Sequence, residues 1–505
     1  MHKLRYWYLC WGRACLRRHP GVCAKLLRMR VRTGWIQVSW LACVWLAGAA
    51  VPAWAEQTGE AADPIAPLIA AYERAVPPGA QADSYRDLMR RVMLRVQRSY
   101  PVEVDLAALA ATGVRAIEAP GAEPGEPAAV FKRSLNAALA TLDPHSRVLD
   151  ENDYARFGSS QSGRFSGLGL EIEMAEGLVR VIAPIEDTPA ARAGLRSGDL
   201  IVKFDDQPVL GLTQADAVAR MRGQPGTPIT LLIRRPGHAA EFSVLLVRDL
   251  VRSQLLTWRI EEDVLVLRLR QFAGSLKPLI DQAVAQATAT QQLRGVILDL
   301  RGNPGGLVNQ AVAVADAFLG QGEIVAMRGR WPGNSRSWSA DDAQHLPTVP
   351  MVVLIDGGSA SASELVAGAL QDNARATVMG QRSFGKGSVQ TLLPLGAGTG
   401  ALRLTTALYA TPSGRLVQRT GIGPDIELVA PQNAPPRLGR REQDRAQALP
   451  GTQEPLPPKA RIEQERCPRP PQGEDRALGC AIAFLKAGAL DRFVATLDPA
   501  RPETP

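Results

Sequence analysis

The chain changes hydrophobic rhythm along its length. Over residues 85–100 the apolar positions Leu88, Val92, Leu94 and Val96 recur at helical spacing. Residues 106–117 and 130–142 repeat that pattern, and a shorter helical patch lies near 65–75. From 160 onward shorter runs take over. Residues 167–172, 179–183, 198–204 and 229–234 predict strands, 188–195 a short helix stopped at Gly194, and 213–222 a longer helix. Beyond 250 the runs become almost continuously apolar. Residues 264–269, 295–300 and 349–356 read as buried strands, alternating with helical stretches at 276–288, 309–319 and 364–370, and 388–395 reads as a further strand. This β-turn-α alternation predicts an α/β core with parallel pairing. Residues 431–474 are crowded with Pro, Gln and charge and predict a disordered or extended linker, followed by a helix carrying Leu478, Ile482 and Leu485.

Composition adds an export segment to this picture. The chain has 505 residues and a formal charge of +8. Nine Lys or Arg and no acidic residue lie in the first 55 positions, which leaves −1 for the remainder. A basic surface for nucleic acid is therefore not supported. Residues 35–55 are apolar, follow Arg28, Arg30 and Arg32, and end in Ala53-Trp54-Ala55, an A-x-A cleavage pattern. Read as a signal peptide, this stretch places the mature protein in the periplasm, and a start at Met29 gives it ordinary length. The alternative is an uncleaved inner-membrane anchor, since about 20 apolar residues span a bilayer. A lipoprotein signal at Cys43 fits less well, because Trp40 stands where Leu is usual. Cys10, Cys15, Cys23 and Cys43 fall within the removable part. Cys467 and Cys480 remain, and in an oxidising compartment they predict a disulfide. No Cys/His cluster has metal-ligand spacing, and neither a metal nor another cofactor is expected.

The candidate chemistry is concentrated at 357–390. GGSASASE at 357–364 follows the apolar strand and opens an Ala/Leu-rich helix, so its serines sit at a strand-to-helix turn near free backbone N–H groups. That is a suitable place for a nucleophile and an oxyanion. A plainer reading also fits, with Ser361 as N-cap and Glu364 reaching back in a capping box. Lys386 lies 25 positions beyond Ser361 in a second glycine-rich turn, SFGKGSVQ at 383–390. A phosphate-binding loop is disfavoured there, because Gly387 replaces the magnesium-binding hydroxyl and a strand follows where a helix is required. Beyond the first 55 residues the histidines are His145, His238 and His345. His145 is a rival base by residue type but reads best as a helix-end or turn residue.

These motifs together resemble the carboxy-terminal processing (tail-specific) serine proteases. GSASASE, the QDN-R of 371–375 and FGKGSVQ match that family in sequence and spacing, as do LDPHS at 142–146, DLRGNPGG at 299–306 and GIGPD at 421–425. The resemblance implies a crotonase/ClpP-like α/β catalytic core with an inserted PDZ domain and an N-terminal helical region. Its domains would be 1–55 signal, 56–159 helical region, 160–249 PDZ, 250–430 protease core, 431–474 linker and 475–505 C-terminal helix and tail. It implies Ser361 as nucleophile, Lys386 as base and Gln390 as the residue orienting the lysine, with Ser359 and Ser363 as turn and cap residues and LDPHS in a structural role. Ala362 and either Gly305 or Gly306 would donate to the oxyanion. GLGL at 167–170 matches a carboxylate-binding loop, so that Leu168, Gly169, Leu170, Val218 and Met221 would hold a substrate's C-terminus; the plainer reading of the four apolar ones is ordinary core. The implied partners are protein substrates taken by their tails, with an adaptor or a second copy of the chain as further candidates. Two alternatives stand beside this: a catalytically silent PDZ scaffold, and a crotonase-like enzyme acting on acyl thioesters.

Overall fold

The structure, a computed structural model, describes residues 63–121, 125–161, 163–185, 187–252, 254–341, 349–396, 398–431, 441–451 and 454–497. The signal segment, the start at Met29, Cys43 and His345 lie outside the described residues.

The core is a seven-stranded sheet whose order in space is its order in sequence. We number its strands β1 (Leu256–Glu261), β2 (Val264–Leu269), β3 (Gly295–Asp299), β4 (Met351–Ile355), β5 (Thr377–Gly380), β6 (Ile426–Val429) and β7 (Ala460–Glu463). β1 and β2 form an antiparallel hairpin, and every later pair is parallel. Helices α1 (Lys277–Thr290), α2 (Val308–Phe318) and α3 (Ala362–Asp372) lie in the crossovers between β2 and β5. The continuous apolar runs are explained by the two faces. Leu265, Leu267, Val353 and Ile355 pack against these helices, while Val264, Val266, Val352 and Leu354 belong to a second cluster on the opposite side. Residues one apart in a strand point to opposite faces, so a sheet covered on both sides reads as apolar throughout.

The second cluster is closed by α4 (Arg476–Ala487), which brings Leu478, Ile482 and Leu485 onto the sheet. Each such side chain contributes roughly 1.5–3 kcal/mol by leaving water. Cys467 and Cys480 are joined by a disulfide, as expected. The expectation of an extended linker at 431–474 is corrected over its described part. β7 adds to the sheet beside β6, with Ile426 opposite Ala460, and Glu442–Asp444 is a turn of 3-10 helix. Only Ile462 of β7 is buried, so an edge strand of four residues leaves no pattern to read in sequence.

A second sheet orders Arg147–Leu149, Gly400–Ala410, Glu323–Gly329 and Arg336–Ser339, with Ser388–Gly396 also pairing with Gly400–Ala410. It joins the catalytic region to the N-terminal helices Ala66–Ala75, Ala80–Ser99, Leu106–Ile117 and Pro127–Leu139, whose core takes in Val148, Leu402 and Leu404. The helix Glu151–Gln161 was not expected, since it has no apolar stripe. Asp150 caps it by accepting the Asp153 N–H at 2.7 Å, and Glu151 and Asp153 favour its positive end.

The inserted unit is a sheet in the order Leu170–Ala175, Leu178–Pro184, Leu200–Phe204, Pro228–Arg234, Phe242–Val247, with the short Gln207–Pro208 beside Leu200–Phe204. Its helix Gln214–Met221 starts in a capping box made by Thr213 and Asp216. Both ends of the insertion are tied together where Arg164–Gly167 pairs with Asp249–Arg252. No helix among the described residues is long and apolar enough to cross a membrane.

Candidate active site

Strand β4 ends at Ile355, and the chain turns through Ser359 and Ala360 into α3 at Ala362. Ser361 sits at that corner with φ 55° and ψ −112°. A non-glycine residue in such a conformation is strained, and the surroundings must hold it there. They do so with hydrogen bonds to the neighbouring DLRGN loop. Ala360 N–H and Ser363 Oγ both donate to the Asn303 carbonyl, at 3.0 and 2.9 Å, and Ser359 Oγ donates to the Leu300 carbonyl at 2.8 Å. Asn303 is itself locked by donating to the Leu269 carbonyl at 2.8 Å.

That loop supplies two glycines beside Ser361. The Gly305 N–H is spent on Asn303 Oδ1 at 2.9 Å. A Cβ on Gly305 would lie 2.8 Å from the Ala362 nitrogen and 2.9 Å from Ser361 Cβ, so only glycine allows this approach. The Gly306 and Ala362 N–H groups donate to no acceptor among the described residues.

Glu364 connects the two glycine-rich turns. Fully buried in the first turn of α3, it accepts the Ser361 N–H at 2.7 Å, as the capping-box reading expects. It also accepts Ser383 Oγ at 2.5 Å and the N–H groups of Gly385 and Lys386 at 2.6 and 2.9 Å. Burial pushes its carboxyl up to about 7 against these four bonds, which favour the ionised form. The turn is pressed against 418–419: the Arg419 N–H donates to the Gly385 carbonyl at 2.8 Å, and a Cβ on Gly387 would lie 2.3 Å from the Gln418 nitrogen.

Lys386 is pulled down to about 8, first by burial and then by the Arg403 guanidinium, with Arg445 adding to this and Glu442 and Glu364 opposing it. Its Nζ donates no hydrogen bond to Ser361 or to Gln390 in this arrangement. The Gln390 amide is instead engaged with Ser388 Oγ at 2.9 Å, with Thr405 Oγ1 at 3.4 Å and with the Arg403 guanidinium at 3.4 Å. The structure therefore brings Ser361, Lys386, Ala362 and the two glycines into one site through Asn303 and Glu364, and leaves Gln390 turned toward Arg403.

His145, the rival base, belongs elsewhere: its Nε2 lies 2.9 Å from the buried Glu442 carboxylate. The LDPHS motif is a hydrogen-bonded knot. Asp143 accepts from Tyr100, Ser146 and Thr405 side chains and from the His145 N–H. Thr405 is also the partner of Gln390, so the knot reaches the site by one step. His238 lies in an exposed turn near the Ala240 carbonyl.

In the inserted unit, Leu168 and Met221 are buried core residues, and Leu170 and Val218 are partly buried against that core. Gly169 has φ 76°, and a Cβ there would lie 2.3 Å from Thr188, whose Oγ1 donates to the Gly169 carbonyl at 3.2 Å. Among the described residues no group of three or more His, Cys, Asp or Glu could hold a metal ion.

Sequence reasoning missed the bridging role of Glu364, the lock at Asn303, and Arg403 and Glu442. The available signal for Glu364 was an acid in the first turn of an otherwise apolar helix. Asn303 lies within DLRGNPGG, where the glycines alone carry the expectation of an oxyanion donor.

Comparison with known proteins gives the family. The profile of peptidase family S41 matches residues 263–428, and that of a PDZ domain matches 180–235. A carboxy-terminal-processing protease of Bartonella bacilliformis is 47% identical over 305 residues, covering 60% of this chain and 70% of the relative. A carboxyl-terminal-processing protease of Synechocystis sp. is 36% identical over 306 residues, covering 59% and 71%. The solved structure of a photosystem II D1 C-terminal processing protease is 27% identical over 70% of this chain and 94% of its own, with a TM-score of 0.46. At the identity and coverage of the Bartonella relative, the chain belongs to the carboxy-terminal-processing serine proteases of peptidase family S41.

Proposed function

We propose that the protein is a periplasmic endopeptidase that cleaves substrate proteins near their C-termini with a Ser361–Lys386 dyad. The observation that carries this reading is Glu364, whose one carboxylate takes the N–H groups of both Ser361 and Lys386. In the reaction, neutral Lys386 accepts the Ser361 Oγ proton as the oxygen attacks the scissile carbonyl carbon. Gly306 and Ala362 donate to the oxyanion, each worth on the order of 2.7–4 kcal/mol by analogy with other hydrolases. The lysine ammonium then gives its proton to the leaving amine, and the acyl-enzyme is hydrolysed by water that the lysine deprotonates. Hydrogen bonds of this kind are often long or absent without substrate and tighten when it binds. Gln390 orients Lys386 once it is released from Arg403.

The inserted PDZ unit takes the substrate's terminal carboxylate on the backbone of 167–170 while the tail adds a strand to its sheet. Export to the periplasm rests on the apolar segment ending in Ala53-Trp54-Ala55 and on the Cys467–Cys480 disulfide, which persists in an oxidising compartment. A silent scaffold would not need the complete set of Ser361, Lys386 and Gln390.

The test is incubation of the purified protein with a loosely folded substrate bearing an apolar C-terminus, and with the same substrate amidated there, read by mass spectrometry. Wild type should cleave and amidation should slow it; Ser361→Ala and Lys386→Ala should be inert while remaining folded. Cleavage by either variant would falsify the dyad, and indifference to amidation removes the tail-recognition claim alone.

A further inference from the structure

Residues 441–451 follow the family domain and lie against the lysine turn. Glu442 N–H donates to the Phe384 carbonyl at 3.2 Å, Arg441 Nη1 to the Ser383 carbonyl at 3.0 Å, and Arg382 Nη2 to Gln443 Oε1 at 3.0 Å. The Arg445 guanidinium lies 5.4 Å from the centre of the Phe384 ring. Farther along, Leu449 is buried in the core of the N-terminal helices, and a Cβ on Gly451 would lie 2.4 Å from the Gln418 carbonyl oxygen. The segment is thus a strap fastened at the lysine turn, at the helical region and at 418.

At its centre is the fully buried carboxylate of Glu442. One oxygen lies 2.9 Å and the other 3.1 Å from His145 Nε2, and Gln418 Nε2 donates to the first at 3.2 Å. The other end of that amide, Gln418 Oε1, accepts the Gly387 N–H at 3.0 Å. Glu442 therefore holds the residue after Lys386 through Gln418, and holds Phe384 directly. A buried carboxylate costs several kcal/mol to desolvate. A strap that needed only an anchor already has Leu449. The charge has a second consequence at Lys386, whose other charged neighbours are Arg403 from the strand Gly400–Ala410, Glu364 from α3, and Arg445 from the strap itself.

We propose that Glu442 is a positioning residue for the catalytic lysine: with His145 and Gln418 it pins residues 384–387, and it supplies the negative charge that counters Arg403 and Arg445 at Lys386. This rests on the Ser361–Lys386 reading and extends it to a segment outside the family domain. The lysine must be neutral to take the serine proton and charged to give it to the leaving amine, so an affinity for protons near the working pH serves both steps. Without Glu442, Glu364 alone would counter the two arginines, and the lysine would be a weaker base.

Glu442→Gln removes the charge and preserves the contacts, because the imidazole of His145 accepts from the new amide in its other tautomer. In kcat/KM measured against pH on the purified full chain, the acid limb of this variant should move to lower pH by roughly half a unit or more, since loss of a nearby anion disfavours the ammonium. Glu442→Ala should lower kcat about tenfold or more with KM little changed, as expected when positioning for the transition state is lost. An acid limb that stays at the wild-type pH in Glu442→Gln overturns the proposal, and this variant decides the matter even if Glu442→Ala does not fold. Lys386→Ala separates the two readings. Activity in that variant sinks the dyad, whereas an inert Lys386→Ala beside an unmoved Glu442→Gln limb sinks only the role of Glu442.

Discussion

Burial destabilises the ammonium form of Lys386 at a cost to stability. Its folded affinity for protons is lowered to about 8 from an ordinary 10.5, so the unfolded chain binds more protons between those values. Stability contributed by this group therefore rises with pH through that window and is lowest below pH 8. Lys386→Met should abolish cleavage yet raise stability at pH 7 by up to about 3 kcal/mol, with the gain fading as pH rises from about 8 to 10.5 and lost above that. Urea unfolding at pH 7 and at pH 11 checks this, and an equal difference at both would count against it. The same affinity sets the rate: wild-type kcat/KM should climb as pH rises through about 8. Arg403→Met removes the cation that disfavours the ammonium, so its climb should lie at higher pH, opposite in direction to Glu442→Gln. Gly306 is a backbone requirement of another kind. Its φ is 147°, and a Cβ would lie 2.1 Å from the Phe272 carbonyl oxygen. Gly306→Ala should cost on the order of 1–3 kcal/mol in strain and displacement. If it donates to the oxyanion as proposed, the change should also lower kcat by at least about a hundredfold.

Between elements, the site depends on turns being tied to one another. Glu364 is the clearest case, because one carboxylate satisfies donors from α3 and from the lysine turn. Glu364→Ala would leave buried N–H groups unpaired, each costing about 1–3 kcal/mol. The C-terminal segment is a second tie. Arg301 of the DLRGN loop pairs with Asp299 and with Asp475, the N-cap of α4, at 2.7 and 2.6 Å. The disulfide closes a separation of 13 residues and keeps β7 and α4 together. The double replacement Cys467→Ser with Cys480→Ser should lower unfolding free energy by about 2–4 kcal/mol. Denaturant titration of wild type in reducing buffer should reproduce that loss; a difference below about 0.5 kcal/mol would rule out a stabilising role.

At the scale of the whole molecule, the catalytic region is built from distant parts of the chain. The sheet strand Gly400–Ala410 pairs with Arg147–Leu149 and packs its Leu402 and Leu404 into the N-terminal helices. Thr405 on that strand links Asp143 of LDPHS to Gln390. The inserted domain enters through Glu151–Gln161, whose Phe157 ring stacks on the Arg403 guanidinium at 5.6 Å from its centre. Removal of residues 160–249 should therefore change the rate on a tailed substrate by more than loss of affinity alone. Separate kcat and KM values for the deletion variant check this, and a change confined to KM would contradict it.

The sequence by itself determined the local parts. Short apolar runs such as 349–356 read as buried strands, and the glycines at 305, 306 and 385 permit turns that other residues would strain. The resemblance of the motifs around Ser361, Lys386 and Gln390 to those of the family is what implied their chemistry. The tertiary structure decided which groups meet across the chain. That the Glu364 carboxylate meets Ser383, Gly385 and Lys386 of another turn, and that Gln390 meets Arg403 of the neighbouring strand, depends on partners the local sequence does not specify. That a strand and a buried glutamate lie within 441–463 was invisible for the same reason. A charged, proline-rich composition states what a segment costs to bury, and only the neighbours His145 and Gln418 show that the cost is met.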